Sequence, residues 1–349
     1  MTMAKKTART AVRMKDVAEV AGVSRMAASA VLMGTGNGRI RVSEETAEVI
    51  RKAAVDLGYR PNIAAQQLAG KKSNVVALVV RETRNFLTQK VTAELQREAE
   101  ELGLRLLSVG SYPKLDGLKR VVQDLDAGWV DGVMYLAYEN EEQWDEVGKL
   151  FESRQNVLTV LENPGGKGTC RVISDVRSGA METIDHLVST GRKKVALLTE
   201  QRKSPSILDR IVGYREALAK HDKELCEDQI VVDTQGWLVN DPTTYPRFDK
   251  ICRHLVEDIG ADAILCDTDF NSVAVCRSLR RLDLSVPDKV AVIGWHDLQF
   301  SSLLDPPLTT VAHDLPALLK AAVSVIQSES DEKPSEILVP TKLRIRHTS

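Results

Sequence analysis

The chain has 349 residues, of which 43% are hydrophobic and 28% charged, and its formal net charge is −2 at pH 7. It has no run of about 18 apolar residues and its first residues lack the apolar core of a secretory signal, so membrane spanning and export are not expected. Residues 1–72 contain 13 Lys and Arg against 6 Asp and Glu, whereas the remainder is acidic. This distribution is typical of a polyanion-binding module attached to a body that does not bind polyanions.

The stretch from Lys15 to Val31 predicts two helices joined by a tight turn. Its apolar residues recur at helical spacing up to Gly22, which can end one helix, while Ser24 can N-cap the next. Such a pair is the usual way to place a second helix in the DNA major groove, although the spacing alone also fits an ordinary helical hairpin. The basic charge of this segment favours the DNA-binding interpretation.

A third helix is predicted from Glu44 to Leu57, capped by Ser43 and closed by Gly58. It would complete a small three-helix domain. The Gly-rich loop before this helix does not follow a strand, which argues against a dinucleotide-binding loop. Its arginines, Arg39 and Arg41, are expected to touch phosphates.

Residues 62–69 predict a further, short helix. Pro61 bars a helix through the preceding residue, Asn62 can N-cap the new one and Gly70 can end it. Isolated helices shorter than about 12 to 15 residues are marginal in water. This helix should therefore fold only against a partner.

From residue 73 onward, short apolar runs alternate with longer amphipathic segments, the pattern of a parallel sheet wrapped by helices. The alternation then repeats, and the length exceeds what one such sheet usually needs, so two doubly wound subdomains are expected. The predicted strands are Val75–Val80, Arg105–Val109, Gly132–Leu136, Val157–Leu161, Val195–Leu198, Ile230–Val232, Ala263–Cys266 and Val290–Ile293.

Three segments together carry a specific resemblance: KDVAEVAGVS, RVSEETAEVIRKAAVDLGYRPN and AAQQLAGK. They resemble the DNA-binding head and hinge of the lactose/galactose repressor (LacI/GalR) family almost position for position, and the family pattern continues to the C-terminus. The resemblance implies an all-α helix-turn-helix head with a hinge helix, followed by an α/β body of the periplasmic-binding-protein type. In that body an effector lies between the two subdomains, and the chain crosses between them three times.

The resemblance implies domain boundaries and DNA contacts. We expect a basic arm at residues 1–13, the helix-turn-helix domain at 14–60, the hinge helix and linker at 61–72, an N-terminal subdomain at 73–173 and 299–328, and a C-terminal subdomain at 174–298 and 329–349. The expected DNA-contacting residues are Lys15, Ser24, Arg25, Met26, Ser29, Arg39, Arg41, Tyr59, Asn62, Ala65 and Leu68. Leu68 stands where the family places a minor-groove wedge; the alternative is that it packs on its own head.

The family's effector-contact positions match Arg210, Trp237 and Asp269, and the resemblance adds Asn85, Phe86 and Asp175. Arg210 offers a planar donor fork for hydroxyl or carboxylate groups, Asp269 can accept hydroxyl hydrogens, and Trp237 can stack on a sugar face. Each has a purely structural alternative: an ion pair with a neighbouring helix for Arg210, a helix cap for Asp269 and a core position for Trp237.

The chain departs from the family pattern at the cleft. Thr268-Asp269 stands where the family often has Asn-Asp, and Gly294-Trp295-His296-Asp297 where it often has Gly-Tyr-Asp-Asp. A Ser-Asn-Pro-Phe-Phe type loop is replaced by Arg84-Asn85-Phe86-Leu87. These changes bear on which effector is bound.

An enzyme is not expected, and neither are a cofactor or a metal ion. The six histidines are scattered without an HExxH motif, and the five cysteines include no CxxC pair. Residues 165–169 resemble a phosphate loop but have Gly where Ser or Thr must follow Lys. His296-Asp297 has no GxSxG nucleophile motif to serve.

We therefore expect a homodimeric, cytoplasmic, nucleoid-associated bacterial regulator. It would bind a near-palindromic double-stranded operator, most simply as a repressor, under the control of a small molecule, a sugar or sugar derivative. The alternative is a sugar-binding protein or sugar-handling enzyme with a basic tail. The hinge favours the regulator, because a binding protein has no use for a marginal helix with an exposed leucine.

Overall fold

The computed structural model describes residues 12–33, 40–60, 72–80, 86–110, 115–136, 141–152, 154, 156–161, 170–200, 205–223, 225–233, 243–328, 330, 332 and 334–349. The chain divides into two compact units, a head, Met1–Ser73, and a body, Asn74–Ser349. None of the described helices is both long and apolar enough to cross a membrane.

Three helices make up the described head: α1 (Met14–Val20), α2 (Arg25–Met33) and α3 (Glu44–Asp56). These elements confirm the helix-turn-helix prediction and the third helix. Gly22, in the turn between α1 and α2, has a φ of +66°, a left-handed conformation that favours glycine. Ser43 caps α3, since its hydroxyl accepts a hydrogen bond from the backbone N–H of Thr46 at 3.3 Å.

One apolar cluster holds the three helices together. It includes Val17 from α1, Ala28 from α2 and Ile50 from α3, all without exposed surface. Because each helix contributes only a few side chains, this core is complete only when all three helices pack together.

The first sheet of the body has six parallel strands in the order β11-β5-β4-β3-β1-β2. Its strands are β1 (Val75–Val80), β2 (Arg105–Gly110), β3 (Gly132–Leu136), β4 (Val157–Leu161), β5 (Cys170–Asp175) and β11 (Glu336–Pro340). The helices associated with it are α4 (Phe86–Glu101), α5 (Asp116–Asp126), α6 (Glu141–Phe151) and α11 (Leu315–Gln327). Side chains of α4 and α11 pack in a cluster on one face and those of α5 and α6 in a cluster on the other.

The second sheet has the order β12-β10-β9-β8-β6-β7, with β12 antiparallel to β10 and the other pairs parallel. Its strands are β6 (Val195–Glu200), β7 (Ile230–Asp233), β8 (Ala263–Cys266), β9 (Ala291–Trp295), β10 (Thr309–Ala312) and β12 (Lys342–Arg344). Two pairs of helices cover it: α7 (Val176–Ser189) with α8 (Pro205–Lys220), and α9 (Thr244–Arg253) with α10 (Asp269–Arg281). The expected fold class of the body, two doubly wound subdomains, is confirmed.

The last residues of the chain belong to the second sheet. Thr348 is fully buried; its hydroxyl donates to the carbonyl of Val292 at 2.6 Å and accepts from the backbone N–H of Thr309 at 2.8 Å. Its own carbonyl accepts a hydrogen bond from the N–H of Val292 at 2.7 Å. The C-terminal segment therefore joins β9 to the start of β10.

Along the described strands, the chain changes sheet after β5, between β10 and β11, and between β11 and β12. Two of our boundaries differ from this path. We expected 299–328 in the N-terminal subdomain, yet β10 pairs with β9 in the second sheet; we expected 329–349 in the C-terminal subdomain, yet β11 pairs with β5 in the first. The physical reason for both differences is pairing between strands that are distant in sequence. Such pairing leaves no signal in the local sequence pattern.

Candidate functional site

The first turn of α2 carries the residues predicted to face DNA bases. Ser24 Oγ accepts a hydrogen bond from the backbone N–H of Ala27 at 3.1 Å, and the helix begins at Arg25. Both Arg25 and Met26 are exposed, Met26 by 67%, whereas Ser29, one turn later, is half-buried. A cation and a large apolar side chain thus stand side by side in solvent at the N-terminus of the helix.

The remaining predicted DNA contacts of the head that are described lie on its surface. Lys15 and Arg41 are exposed, and Tyr59 is half-buried against the head core. Burial raises the pKa of Tyr59, and the nearby charge of Arg25 opposes this rise. The predicted contacts outside the described residues are Arg39, Asn62, Ala65 and Leu68.

In the body, the described candidate effector residues lie around the carboxyl ends of the parallel strands, where α/β sheets hold their ligands. Arg210, on α8, is only 3% exposed. Its Nη1 donates a hydrogen bond to the backbone carbonyl of Asp267 at 3.0 Å, just beyond β8. Its Cζ lies 3.9 Å from the centroid of the Trp295 ring at the end of β9. The face of an indole attracts a guanidinium charge, so Trp295 stabilises this cation where water is scarce.

Asp269 already accepts three hydrogen bonds within the chain. Its Oδ1 accepts from the hydroxyl of Thr310 at 2.6 Å, and its Oδ2 accepts from the backbone N–H of Leu298 at 2.6 Å and the hydroxyl of Ser301 at 2.8 Å. The side chain has no exposed surface, and burial raises its pKa to about 6. In this conformation the carboxylate ties the start of α10 to the segment between β9 and β10.

Thr268 caps α10, because its hydroxyl accepts from the backbone N–H of Asn271 at 3.1 Å. The alternative that Asp269 caps this helix is therefore wrong. Asp175 is a cap, since Oδ1 accepts from the N–H of Ser178 at 2.9 Å at the start of α7. Its carboxylate is half-buried at the end of β5.

Phe86, predicted to contact the effector, lies at the start of α4 and is 52% exposed. Its ring centroid lies 5.2 Å from that of Phe270 on α10, and Phe270 lies 4.9 Å from Phe300. The three rings form an aromatic row that links the first subdomain to the second. The other two predicted effector residues, Asn85 and Trp237, lie outside the described residues.

A chain of hydrogen bonds that we did not predict also joins the subdomains. His313 Nδ1 lies 2.7 Å from the hydroxyl of Ser174 at the end of β5, and its Nε2 lies 2.9 Å from Nδ1 of His296 beyond β9. Burial, together with the smaller effects of the charges of Arg210 and Lys90, lowers the pKa of His313 to about 3. His313 is therefore neutral, with one ring nitrogen donating and the other accepting.

The two histidines differ in how far the sequence signals them. His296 stands at a departure from the family pattern, which could have marked it as a site residue. His313 simply follows a short strand that the apolar pattern did not predict, so it carried no signal. In the part of the body that the structure describes, these histidines, Arg210 and the aromatic row are among the groups brought together where the subdomains meet.

No three His, Cys, Asp or Glu side chains among the described residues are grouped so that they could hold a metal ion. The described side chains offer hydrogen bonding, aromatic stacking and charge. They can bind and orient a polar ligand.

Comparison with known proteins agrees with this division into head and body. Residues 13–62 match the family of bacterial regulatory proteins of the lacI type, and residues 184–349 match a periplasmic binding protein-like domain. The lactose operon repressor of Escherichia coli (strain K12) is 27% identical over 341 residues, which cover 97% of this chain and 91% of that protein.

Two solved structures share the fold over nearly the whole chain. A lac repressor dimer bound to operator and the anti-inducer ONPF matches with a TM-score of 0.74 at 24% identity, covering 97% of this chain and 99% of that one. A complex of the transcriptional regulator CelR with cellobiose matches with a TM-score of 0.63 at 23% identity, covering 97% and 100%.

Proposed function

We propose that the chain is a transcriptional repressor of the lacI type, whose operator affinity is controlled by a small molecule bound in the body; the match of residues 13–62 and the similarity to the lactose operon repressor support this. The observation that carries the DNA-binding part is the capped helix α2. It presents Arg25 and Met26 to solvent from a segment with an excess of positive charge.

The proposed division of labour in the head follows from side-chain chemistry. Arg25 can donate two hydrogen bonds to the O6 and N7 atoms of guanine, and Met26 can contact a thymine methyl group. Arg41, Lys15 and Tyr59 would hold the backbone of the duplex, which fixes position without reading sequence. The same roles toward backbone and minor groove are proposed for Arg39, Asn62, Ala65 and Leu68.

Selection on random double-stranded DNA tests this assignment with two matched substitutions. Arg25→Ala should flatten the preference at one base position in each half-site, equivalent to about 1 to 3 kcal/mol of lost discrimination. Arg41→Ala should leave the selected motif unchanged and weaken binding to all sequences, with a salt dependence shallower by about 0.9 log units per log unit of salt. An unchanged motif for Arg25→Ala would contradict the assignment.

We propose that the effector is a carbohydrate or a carbohydrate derivative, held between the subdomains near Arg210, Phe86 and Asp175, with Asn85 and Trp237 as further contacts. The cellobiose complex of CelR, which shares the fold, supports this class. So does the presence of an aromatic row beside buried polar groups. Asp269 would hold the segment that carries His296 through its three internal hydrogen bonds. It would contact the effector directly only if ligand hydroxyls replaced these donors.

Titration calorimetry of the full chain against monosaccharides, oligosaccharide fragments and sugar acids tests the effector class. The ligand found should change operator affinity by about 5- to 150-fold, the range that a typical coupling between two sites produces. A compound that binds the body and leaves operator affinity unchanged is not the effector.

We further propose that the chain acts as a homodimer in the bacterial cytoplasm, associated with the nucleoid. A single head makes too few phosphate contacts for tight, specific binding, and a two-fold symmetric pair reads a near-palindrome. Sedimentation at micromolar concentration should give a dimer, whereas a stable monomer or a tetramer would contradict the proposal.

The hinge, residues 61–72, is the proposed link between body and head. Leu68 driven between base pairs would unstack them at a cost of a few kcal/mol, recovered through contacts with the bent duplex. Leu68→Ala should weaken operator binding, and amides of residues 62–69 should become protected from exchange only with operator. Protection in the free protein would contradict coupled folding and leave DNA binding by the head intact.

A further inference from the structure

One lysine of the first subdomain bonds the backbone of the second. Lys90 lies on α4, whose buried residues Leu87 and Val91 pack against the first sheet. Its Nζ donates to the carbonyl of His296 at 3.1 Å and also to the carbonyl of Asp297. Both residues follow β9 in the second sheet, so these bonds exist only while the subdomains are close together.

The backbone that Lys90 contacts has an unusual conformation. His296 has a φ of +96° and Asp297 a φ of +48°, in the region that favours glycine. A non-glycine residue stays in such a conformation only where surrounding bonds hold it. Within the second subdomain, the N–H of His296 donates to the carbonyl of Val311 at 2.8 Å, and that of Asp297 donates to the hydroxyl of Thr310 at 3.3 Å.

Charge reinforces the contact with Lys90. Its Nζ lies 3.9 Å from Oδ2 of Asp297, and Oδ1 of Asp297 accepts from Arg346 at 2.6 Å. The side chains of Lys90 and Asp297 are 27% and 20% exposed, so water screens their attraction less than it screens a surface pair. Charge-assisted hydrogen bonds of this kind are stronger than neutral ones.

The same helix makes a second contact across the subdomains. Phe86 lies one turn before Lys90, and its ring packs on Phe270 of α10. The first turn and a half of α4 therefore meets the second subdomain through an apolar contact and a charged one on neighbouring positions. The charged contact has the sharper distance dependence, since a hydrogen bond is lost after a small separation.

We propose that Lys90 is a positioning residue that makes the 296–297 turn, and with it the His296 imidazole, depend on closure of the body. When the subdomains separate, Lys90 leaves both carbonyls and the turn loses part of the support for its left-handed backbone. His296 then shifts relative to His313, which is bonded to Ser174 in the first subdomain. The proposal rests on the proposed function for its regulatory meaning, but the dependence on closure does not need DNA or an effector.

The test uses the full chain alone. Hydrogen exchange of peptides that cover residues 291–300, with the radius of gyration from small-angle X-ray scattering, would be measured for the parent, Lys90→Met, Lys90→Arg and Lys320→Met. Lys320 is an exposed lysine on α11 of the same subdomain and is the matched control.

Lys90→Met should make exchange in these peptides roughly ten- to hundredfold faster, the loss expected for one charge-assisted hydrogen bond, and should enlarge the radius of gyration. Lys90→Arg keeps two donors and should restore most of the protection. Lys320→Met should match the parent. If Lys90→Met does not fold, Lys90→Ala, which also lacks a donor and has a smaller side chain, provides the same test.

Unchanged exchange and an unchanged radius in Lys90→Met, with only a lower melting temperature, would overturn the proposal and leave Lys90 with a merely stabilising role. Faster exchange spread over the whole body would overturn it as well. Because neither measurement contains operator or sugar, failure here is distinguishable from failure of the proposed function.

Discussion

The backbone of Gly294 leaves no room for a side chain beside the carboxylate of Asp269. A Cβ atom at Gly294 would overlap Oδ1 of Asp269 and lie 2.9 Å from the hydroxyl of Ser272. The backbone of strand β9 therefore lies in direct contact with side chains of the first turn of α10. This approach lets Asp269 reach Thr310 and the backbone of Leu298 at the same time.

Gly294→Ala should lower the free energy of unfolding of the body by more than about 3 kcal/mol, because the added methyl group must displace a fully buried, hydrogen-bonded carboxylate. Denaturation in urea measures the change. Gly191→Ala is the control: its φ of +89° is left-handed, so alanine there adds backbone strain, but a Cβ at this position meets no atom within 4 Å. The control should cost only about 1 to 2 kcal/mol, and equal losses for the two variants would contradict the steric argument.

The raised pKa of Asp269 predicts a pH dependence of stability. Its folded pKa of about 6 exceeds the ordinary value of 3.8, so the folded protein takes up this proton at higher pH than the unfolded chain. The stability that this group contributes is fully present below 3.8 and is lost as pH rises through about 6. The loss amounts to about 3 kcal/mol.

Asp269→Asn cannot ionise and should remove this dependence. Its stability relative to the parent should therefore rise with pH between about 4 and 7, even if the absolute value falls because an amide replaces one acceptor oxygen with a donor. Urea midpoints at several pH values give the comparison. Parallel pH profiles for parent and variant would show that Asp269 does not titrate in this range.

Arg210→Lys should destabilise the body despite keeping the charge. The ammonium group of lysine is not planar, so it cannot stack on Trp295 as a guanidinium does. It also lacks the forked donors of which one reaches the carbonyl of Asp267. The expected loss is about 2 kcal/mol. Arg215→Lys, on the same helix, affects an exposed pair with Glu227 and should change stability by less than about 1 kcal/mol. If the two substitutions lowered the free energy of unfolding equally, the stacking of Arg210 on Trp295 would not contribute to stability as argued.

Two substitutions at Ser24 separate head stability from DNA binding. Ser24→Ala removes the N-cap of α2 and should cost the head about 1 kcal/mol, seen as a lower midpoint of its thermal transition. Ser24→Asp keeps the cap but places a negative charge where DNA phosphates would approach, so stability should hold while operator affinity falls. If Ser24→Asp bound operator as tightly as the parent, the DNA-binding surface would not include this end of α2.

The apolar runs of the sequence predicted most of the parallel strands, because a strand covered on both faces is continuously apolar, but they missed β5, which begins with Cys-Arg. The bounds of β1, β3, β4 and β8 agree with the prediction to the residue. Strand β10 begins with two threonines, β11 begins with a glutamate and β12 has three residues with a charge at each end. Pairing between distant segments, which leaves little trace in local composition, makes these segments strands.

In the candidate site, too, some features follow from the sequence and others only from the fold. The resemblance selected Arg210 as an effector contact, but its stacking partner Trp295 at the end of β9 and its acceptor Asp267 just beyond β8 are known only from the fold. Asp269 was predicted from sequence position alone, which carries no information about the donors around it. His313 depends entirely on where β10 ends, so only the fold brings it beside His296.

The bonds of Thr348 to β9 and β10 have a consequence for the order in which the chain acquires its structure during synthesis. A contiguous domain can fold while the ribosome is still making the next one. Here the first sheet lacks β11 until residues 336–340 have been made, and the second lacks β12 and the Thr348 bonds until later still. Neither sheet can therefore be completed before nearly all of the other has been synthesised, while the head, which ends by Ser73, is free to fold much earlier.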